Sequence, residues 1–310
     1  MSQTAPLARS APQGPQDRAP KPAPVDMAYA PEDVAIFRAA FPDRPCTFRH
    51  PLVGHPLLSL EALQALAPKL PGSSHEFHSG QIDPSQPDPD VIPGTGRNAF
   101  KTLEDIEAAE AWMSLRSVQL VPEYAALTDS LIASLGAAAM LPGGRTHLHE
   151  SFIFVSSPAT TTPFHFDPEY NVLMQIEGEK TVHVFPVGDR EMVRPQDEEE
   201  LHATGKCNVV FDEARFQERA QTFVLNPGDA LYMPVKAPHW VQNGPSTSIS
   251  FSATWRSAAT DVDRRVHLFN RALRKRGITP SAPGAAPRAD QAKAFAYRLL
   301  ERLGGGRVAG

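Results

Sequence analysis

At 310 residues the chain can bury one large core or two ordinary ones, and its 41% hydrophobic content and mean hydropathy of -0.30 are those of a soluble globular protein. A net charge of -5 and a pI near 6.1 leave no global basic field, which excludes nucleic acid and acidic membrane as expected partners of the main body. Cys46 and Cys207 lie far apart without a CxxC spacing and read as reduced thiols, and no apolar run has the form of a signal peptide or a membrane span, so a cytoplasmic protein is expected.

Residues 1–30 are rich in Pro, Ala, Gln and Ser with little to bury, the composition of a disordered tail. The folded body opens at Pro31, where a helix over 31–41 spaces Val34, Phe37 and Phe41 on one face. Further helices are expected at 59–70 with Ser59 as cap, at 102–113 with Thr102 as cap, and at 122–136. Short strands are expected between them at 46–49, 75–82 and 116–121.

From 150 the texture changes to short strands broken by Pro, Gly and Asn, at 151–157, 164–167, 171–177, 180–185, 222–226, 230–233, 239–243 and 247–255. That rhythm predicts a mainly β fold with flanking helices, a double-sheet jelly roll. The acidic stretch from Gln196 to His202 reads as an inserted surface helix. Two amphipathic helices, 261–276 and 290–303, close the chain, either packing on the barrel or pairing two subunits as a homodimer. The expected organisation is thus a tail (1–30), a barrel domain (31–258, core about 150–256) and a helical extension (259–310).

The chemistry concentrates in the barrel half. His165 and Asp167 are separated by one residue, so on a strand both side chains leave the same face. Pro227-Gly228-Asp229 makes a tight turn, an apolar strand follows, and His239 ends the sequence Pro-Val-Lys-Ala-Pro-His, a pattern that returns a third side chain to a barrel mouth. Two histidines and a carboxylate can hold one face of an iron(II) ion, whereas the bland alternative is a histidine capping a strand end near Trp240. Lys180, after the turn Glu177-Gly178-Glu179, offers a charge for an anionic cosubstrate, and Thr162 offers a hydroxyl to the same group. Asn171 is polar on an otherwise apolar strand and reads as a contact to the ligand set or the cosubstrate. The strand 248–255 puts Ser248, Ser250, Ser252 and Thr254 on one face. Those hydroxyls suit a polar pocket, and a water-facing sheet explains them equally.

The run Thr162-Pro-Phe-His165-Phe-Asp167-Pro-Glu-Tyr-Asn171 through Lys180, together with Asn226-Pro-Gly-Asp229 through His239, resembles the JmjC (cupin-like) oxygenases over about 150–256, in particular the branch containing the asparaginyl hydroxylase of hypoxia-inducible factor. The resemblance implies a double-stranded β-helix, Fe(II) and 2-oxoglutarate. It makes His165, Asp167 and His239 the metal ligands and catalytic centre, Lys180 and Thr162 the contacts to the 2-oxoglutarate carboxylate, Asn171 an inner polar contact, and Phe154 an apolar wall. Ser252 stands where that branch has an asparagine beside the metal and is taken as a further cosubstrate contact. Tyr124 is the candidate for an upstream cosubstrate tyrosine, while His147, His149, His183 and Arg256 are competitors whose direction the sequence leaves open.

The implied activity is hydroxylation of a protein or peptide side chain with release of succinate and CO2, with a small molecule as the second substrate class. The alternative is a cupin-type metal protein without oxygenase activity, an isomerase or small-molecule binding module, and it gives Lys180 and Thr162 nothing to do.

Overall fold

The computed structural model describes residues 29–80, 82–85, 98–139, 146–207 and 209–303, so the expected tail lies almost wholly outside the described residues. The chain runs α1 (Pro31–Ala40), β1 (Cys46–Arg49), α2 (Leu60–Leu66), β2 (His75–Ser79), α3 (Ala99–Glu104), β3 (Ala111–Arg116) and α4 (Pro122–Ala139) before the barrel proper begins. It continues as β4 (His147–Ser156), β5 (Thr161–His165), β6 (Tyr170–Glu177), β7 (Lys180–Val184), α5 (Pro195–Thr204), α6 (Glu213–Phe216), β8 (Gln221–Leu225), β9 (Asp229–Met233), β10 (His239–Asn243), β11 (Ser248–Arg256), α7 (Ala258–Arg274) and α8 (Pro287–Leu303).

A seven-stranded sheet in the order β1-β9-β6-β11-β4-β3-β2 faces a four-stranded sheet in the order β5-β10-β7-β8, with every pairing antiparallel. From β4 to β11 the chain crosses repeatedly between the two sheets, which is the winding of a jelly roll. The expected fold class is the observed one.

Three apolar clusters hold this arrangement. Helices α1, α2 and α4 cover the outer face of the large sheet, on which Val172, Met174, Phe251, Ala253 and Trp255 are buried. Between the sheets lie Leu173, Val182, Val184, Leu225, Leu231, Met233 and Val241. On the outer face of the small sheet, Phe164, Phe166 and Trp240 pack against Phe185, Leu201, Phe211 and Phe216 of the segment joining β7 to β8. A buried Phe or Leu in any of them contributes roughly 1.5–3 kcal/mol of transfer free energy.

Two expectations in the N-terminal half are corrected. The helix expected at 102–113 starts earlier, with Asn98 accepting from Lys101 N as its cap, and ends at Glu104. Glu110 then adopts a left-handed φ of 49°, which turns the chain so that Trp112 and Met113 belong to β3. The strand expected at 116–121 is a short 3-10 turn over Val118–Leu120 behind a left-handed Ser117. The acidic stretch is the helix α5, but it is not a surface helix: Glu198 and Glu199 are buried and paired with Arg190 and Arg274. The terminal helices pack on each other and on α5, through Arg264 and Arg265 to Glu301 and through Arg271 to Glu200.

Candidate metal and cosubstrate site

Because strands alternate, the pairing registers decide which side chains look into the barrel. On β10, His239 and Val241 point inward and Trp240 outward, where it stacks on His183 at 4.1 Å between ring centroids. His239 faces His165 on the edge strand β5, but Val241 faces Thr162, so β5 carries one extra residue between the two pairs. This bulge lets Thr162 and His165 share the interior although three positions separate them, while Phe164 packs outward. Pro163 occupies the irregular segment, where a missing N–H is tolerated.

The three expected ligands converge. Ligand atoms of His165, Asp167 and His239 all lie within 4.8 Å of one another, the two imidazole centroids are 4.1 Å apart, and His239 Nε2 stands 3.9 Å from Asp167 Oδ2. Each imidazole donates Nδ1–H to a backbone carbonyl, His165 to Pro163 at 2.8 Å and His239 to Ala237 at 3.0 Å. These bonds keep Nδ1 protonated and so leave Nε2 of each ring as the nitrogen free to face a metal. Burial pushes the His239 imidazolium well below its ordinary pKa and the neighbouring His165 adds to this, against an opposing pull from Asp167. His239 is therefore neutral at pH 7. Asp167 lies just beyond β5, and its carbonyl accepts from Lys236 N at 2.8 Å, which ties it to the turn leading into His239.

Asn171 and Ser252 form a relay to that carboxylate. Ser252 Oγ donates to Asn171 Oδ1 at 2.8 Å, and Asn171 Nδ2 reaches toward Asp167 Oδ2 at 3.5 Å. Their polar atoms thus point at one another and at Asp167.

Deeper in the barrel the face of β11 bearing Ser248, Ser250, Ser252 and Thr254 is buried, which settles the two readings of those hydroxyls in favour of a lined interior. Lys180 is only 4% exposed and donates to Ser250 Oγ at 2.7 Å; Ser250 in turn donates to Gln175 Oε1 at 2.7 Å. Among the described residues this ammonium has no carboxylate partner, and burial alone pushes its pKa down to about 7. Phe154 lies on the same face, its ring centroid 5.7 Å from Lys180 Nζ.

A buried cation without a counter-ion is unfavourable unless an anion completes it. Among the described residues the hydroxyl of Ser114 and the indole N–H of Trp112 are also buried without hydrogen-bond partners, and the pairing of β3 with β4 puts both on the interior face with Phe154. These observations fit a small anion held by Lys180 in the same barrel as the Nε2/Oδ2 set.

Other candidates stand elsewhere. Tyr124 donates to Leu57 O at 2.7 Å, within the cluster behind the large sheet. His147 pairs with Asp261, and His149 contacts Thr146 and Asp129. Arg256 is held by Glu169.

The sequence missed a wall. Glu76, His78, Trp112, Ser114 and Arg116 on β2 and β3 share the face of Phe152 and Phe154. Burial raises the Glu76 carboxyl, but His78, Arg116 and His165 together outweigh it and hold the group below its ordinary pKa. Glu76 and His78 lie on a strand that the sequence predicts; the alternating Ser114 and Arg116 of β3 were the further signal, hidden by the misplaced element boundaries.

The chain matches the Cupin-like domain family over residues 90–261. It is 35% identical over 101 residues to Lysine-specific demethylase 8 of Xenopus tropicalis, covering 31% of this chain and 22% of that protein. It is 30% identical over 125 residues to HSPB1-associated protein 1 of Bos taurus, covering 38% of this chain and 26% of the relative. The chain therefore spans about a quarter of the length of these relatives, and their names do not single out the asparaginyl hydroxylase branch. The solved structure of E. coli ycfD superposes with a TM-score of 0.52 at 16% identity, over 91% of this chain and 70% of that one, which is a likeness of fold.

Proposed function

The chain belongs to the Cupin-like domain family, the JmjC type that its sequence resembles, and on that premise we propose that it is an iron(II)- and 2-oxoglutarate-dependent oxygenase acting on a protein or peptide side chain. The observation that carries the reading is the pairing, inside one barrel, of a His165-Asp167-His239 set with a buried and uncompensated Lys180.

His165 Nε2, Asp167 Oδ2 and His239 Nε2 would hold the metal, and Lys180 with Thr162 would take the far carboxylate of 2-oxoglutarate. When bound, the metal and the keto acid would use dioxygen for C–H hydroxylation, one oxygen atom going to the product and the other to succinate as CO2 leaves. The tasks of the chain's own residues are positional. The Nδ1 bonds to Pro163 O and Ala237 O fix the imidazole tautomers, Ser252 and Asn171 steer the Asp167 carboxylate, and Leu173, Val182, Leu231, Met233 and Val241 keep the barrel interior apolar. An isomerase or simple binding module has no use for a buried ammonium opposite the metal set.

A protein substrate is supported by the relatives, one of which is named as a lysine demethylase. We place the activity in the cytoplasm, in keeping with the free thiols Cys46 and Cys207. We place a homodimer contact on α8, where Phe295, Leu299, Leu300 and Leu303 are exposed at helical spacing. Leu299→Glu with Leu303→Glu should convert a dimer to a monomer in light scattering. The function is tested by incubating the full chain with Fe(II), 2-oxoglutarate and oxygen. Succinate should form without substrate at a low rate and faster with a peptide pool, with +16 products mapped by mass spectrometry. Succinate formation no faster than in the His239→Ala variant contradicts the reading.

A further inference from the structure

The turn Pro234–Ala237 carries both connections on which the ligand geometry depends. Lys236 N–H holds the carbonyl of Asp167, and the next residue, Ala237, offers the carbonyl that fixes His239 Nδ1. Lys236 does this from a left-handed φ of 63°, a conformation disfavoured for a residue with a long side chain. Something must hold it there.

The side chain of Lys236 runs away from the site into a buried cluster between α5 and α7. Its ammonium donates to Asp263 Oδ2 at 2.7 Å, lies 3.1 Å from His267 Nε2 and stands 3.9 Å from Glu198 Oε1. His202 completes the group, with Nε2 3.6 Å from Asp263 Oδ2. His202, Asp263 and His267 have the spacing of a metal set. The ammonium, however, already fills the cation position, and Lys236 with Arg190 balances the charges of Asp263 and Glu198. A divalent ion would have to displace a buried lysine and leave it uncompensated. The cluster is an anchor for that lysine.

We propose that Lys236 is a positioning residue: its ammonium, locked among Asp263, His267 and Glu198, holds the strained turn that sets Asp167 and His239 in place for the metal. The inference rests on the assignment of His165, Asp167 and His239 as the ligand set. It makes α7 part of the support of that set, through Asp263 and His267.

The test uses cobalt(II) titrations of the full chain, followed by absorption. Wild type should bind one cobalt per chain. Lys236→Met and Asp263→Asn should each weaken binding about tenfold, the scale of losses seen when groups behind metal ligands are removed. Both should also alter the shape of the cobalt spectrum, which a loss of global stability well below the melting temperature would not do. Lys236→Arg, which keeps the pairing, should restore most of the affinity.

Should either single variant fail to fold, Lys236→Met combined with Asp263→Asn removes one charge of each sign, and hydrogen exchange on the unaltered chain gives an independent readout. The Lys236 amide should be protected like the core strands. Wild-type affinity and spectrum in Lys236→Met and Asp263→Asn, or an unprotected Lys236 amide, overturns the proposal. A second cobalt per chain that is lost in His202→Ala also overturns it. If instead His239→Ala binds cobalt as wild type does, it is the ligand assignment itself that fails.

Discussion

Lys180 and Ser250 meet across the barrel interior, the ammonium donating to the hydroxyl at 2.7 Å with no carboxylate partner among the described residues. The contact replaces the hydration of a full charge with one neutral acceptor, which costs stability in the free protein and creates an attraction for an anion.

Lys180→Met should therefore act in opposite directions on stability and binding. The free protein should melt at a higher temperature, because a buried charge has been replaced by an apolar side chain of similar length. Affinity for 2-oxoglutarate should fall by about 10- to 100-fold, as expected for losing a charge-assisted bond of roughly 1.5–3 kcal/mol. Thermal-shift measurements with and without 2-oxoglutarate check both. Equal destabilisation in both conditions would make Lys180 structural.

The pH dependence follows from the same group. Burial lowers the Lys180 pKa from 10.5 to about 7, so between these values the unfolded chain holds more protons than the folded one. The stability linked to Lys180 thus increases as pH rises through that window, and below pH 7 the folded protein bears the cost of the buried charge. A dianion bound beside Lys180 raises its pKa again. At pH 8, binding of 2-oxoglutarate should take up a proton, measurable by calorimetry in buffers of different ionisation enthalpy. Lys180→Met should abolish that uptake.

Asn171→Ala should weaken metal binding by about tenfold without unfolding the protein, since Asn171 steers Asp167 but is not a ligand. Ser252→Ala, one step further back, should cost less. Cobalt titration ranks the two. An effect of Ser252→Ala larger than that of Asn171→Ala would break the relay.

Gly178 precedes Lys180 by two residues with φ +71°, and a Cβ there would come within 2.3 Å of Thr247 O. Gly178→Ala should lower stability by more than about 1 kcal/mol, through the strained backbone and the backbone clash. Chemical denaturation measures it. A neutral result would show that the β6–β7 turn can shift.

The barrel was legible in the sequence through strand alternation, and so was the meeting of His165, Asp167 and His239: the first two through their spacing on one strand, His239, far along the chain, through the turn-strand-histidine pattern and the family resemblance. The N-terminal wall was not. Leu103, Ile106 and Met113 fit a helical stripe, and the break at Glu110 rests on a left-handed non-glycine residue that no Gly or Pro announces. The bulge that turns Thr162 inward is a property of the pairing with β10, invisible in one strand alone. Alternation also separated the two faces of β11 without saying which was dry. The cluster around Lys236 escaped because its members come from α5, α7 and a turn distant in sequence.

The most direct test is an anaerobic titration of the full chain with Fe(II) and 2-oxoglutarate, watching for the metal-to-ligand charge-transfer band of a chelated keto acid. The band should appear only with both present, saturate at one iron per chain, and be absent from His239→Ala and Asp167→Ala. No band in the wild type, or one of the same size in either variant, would contradict a metal centre built on these three side chains.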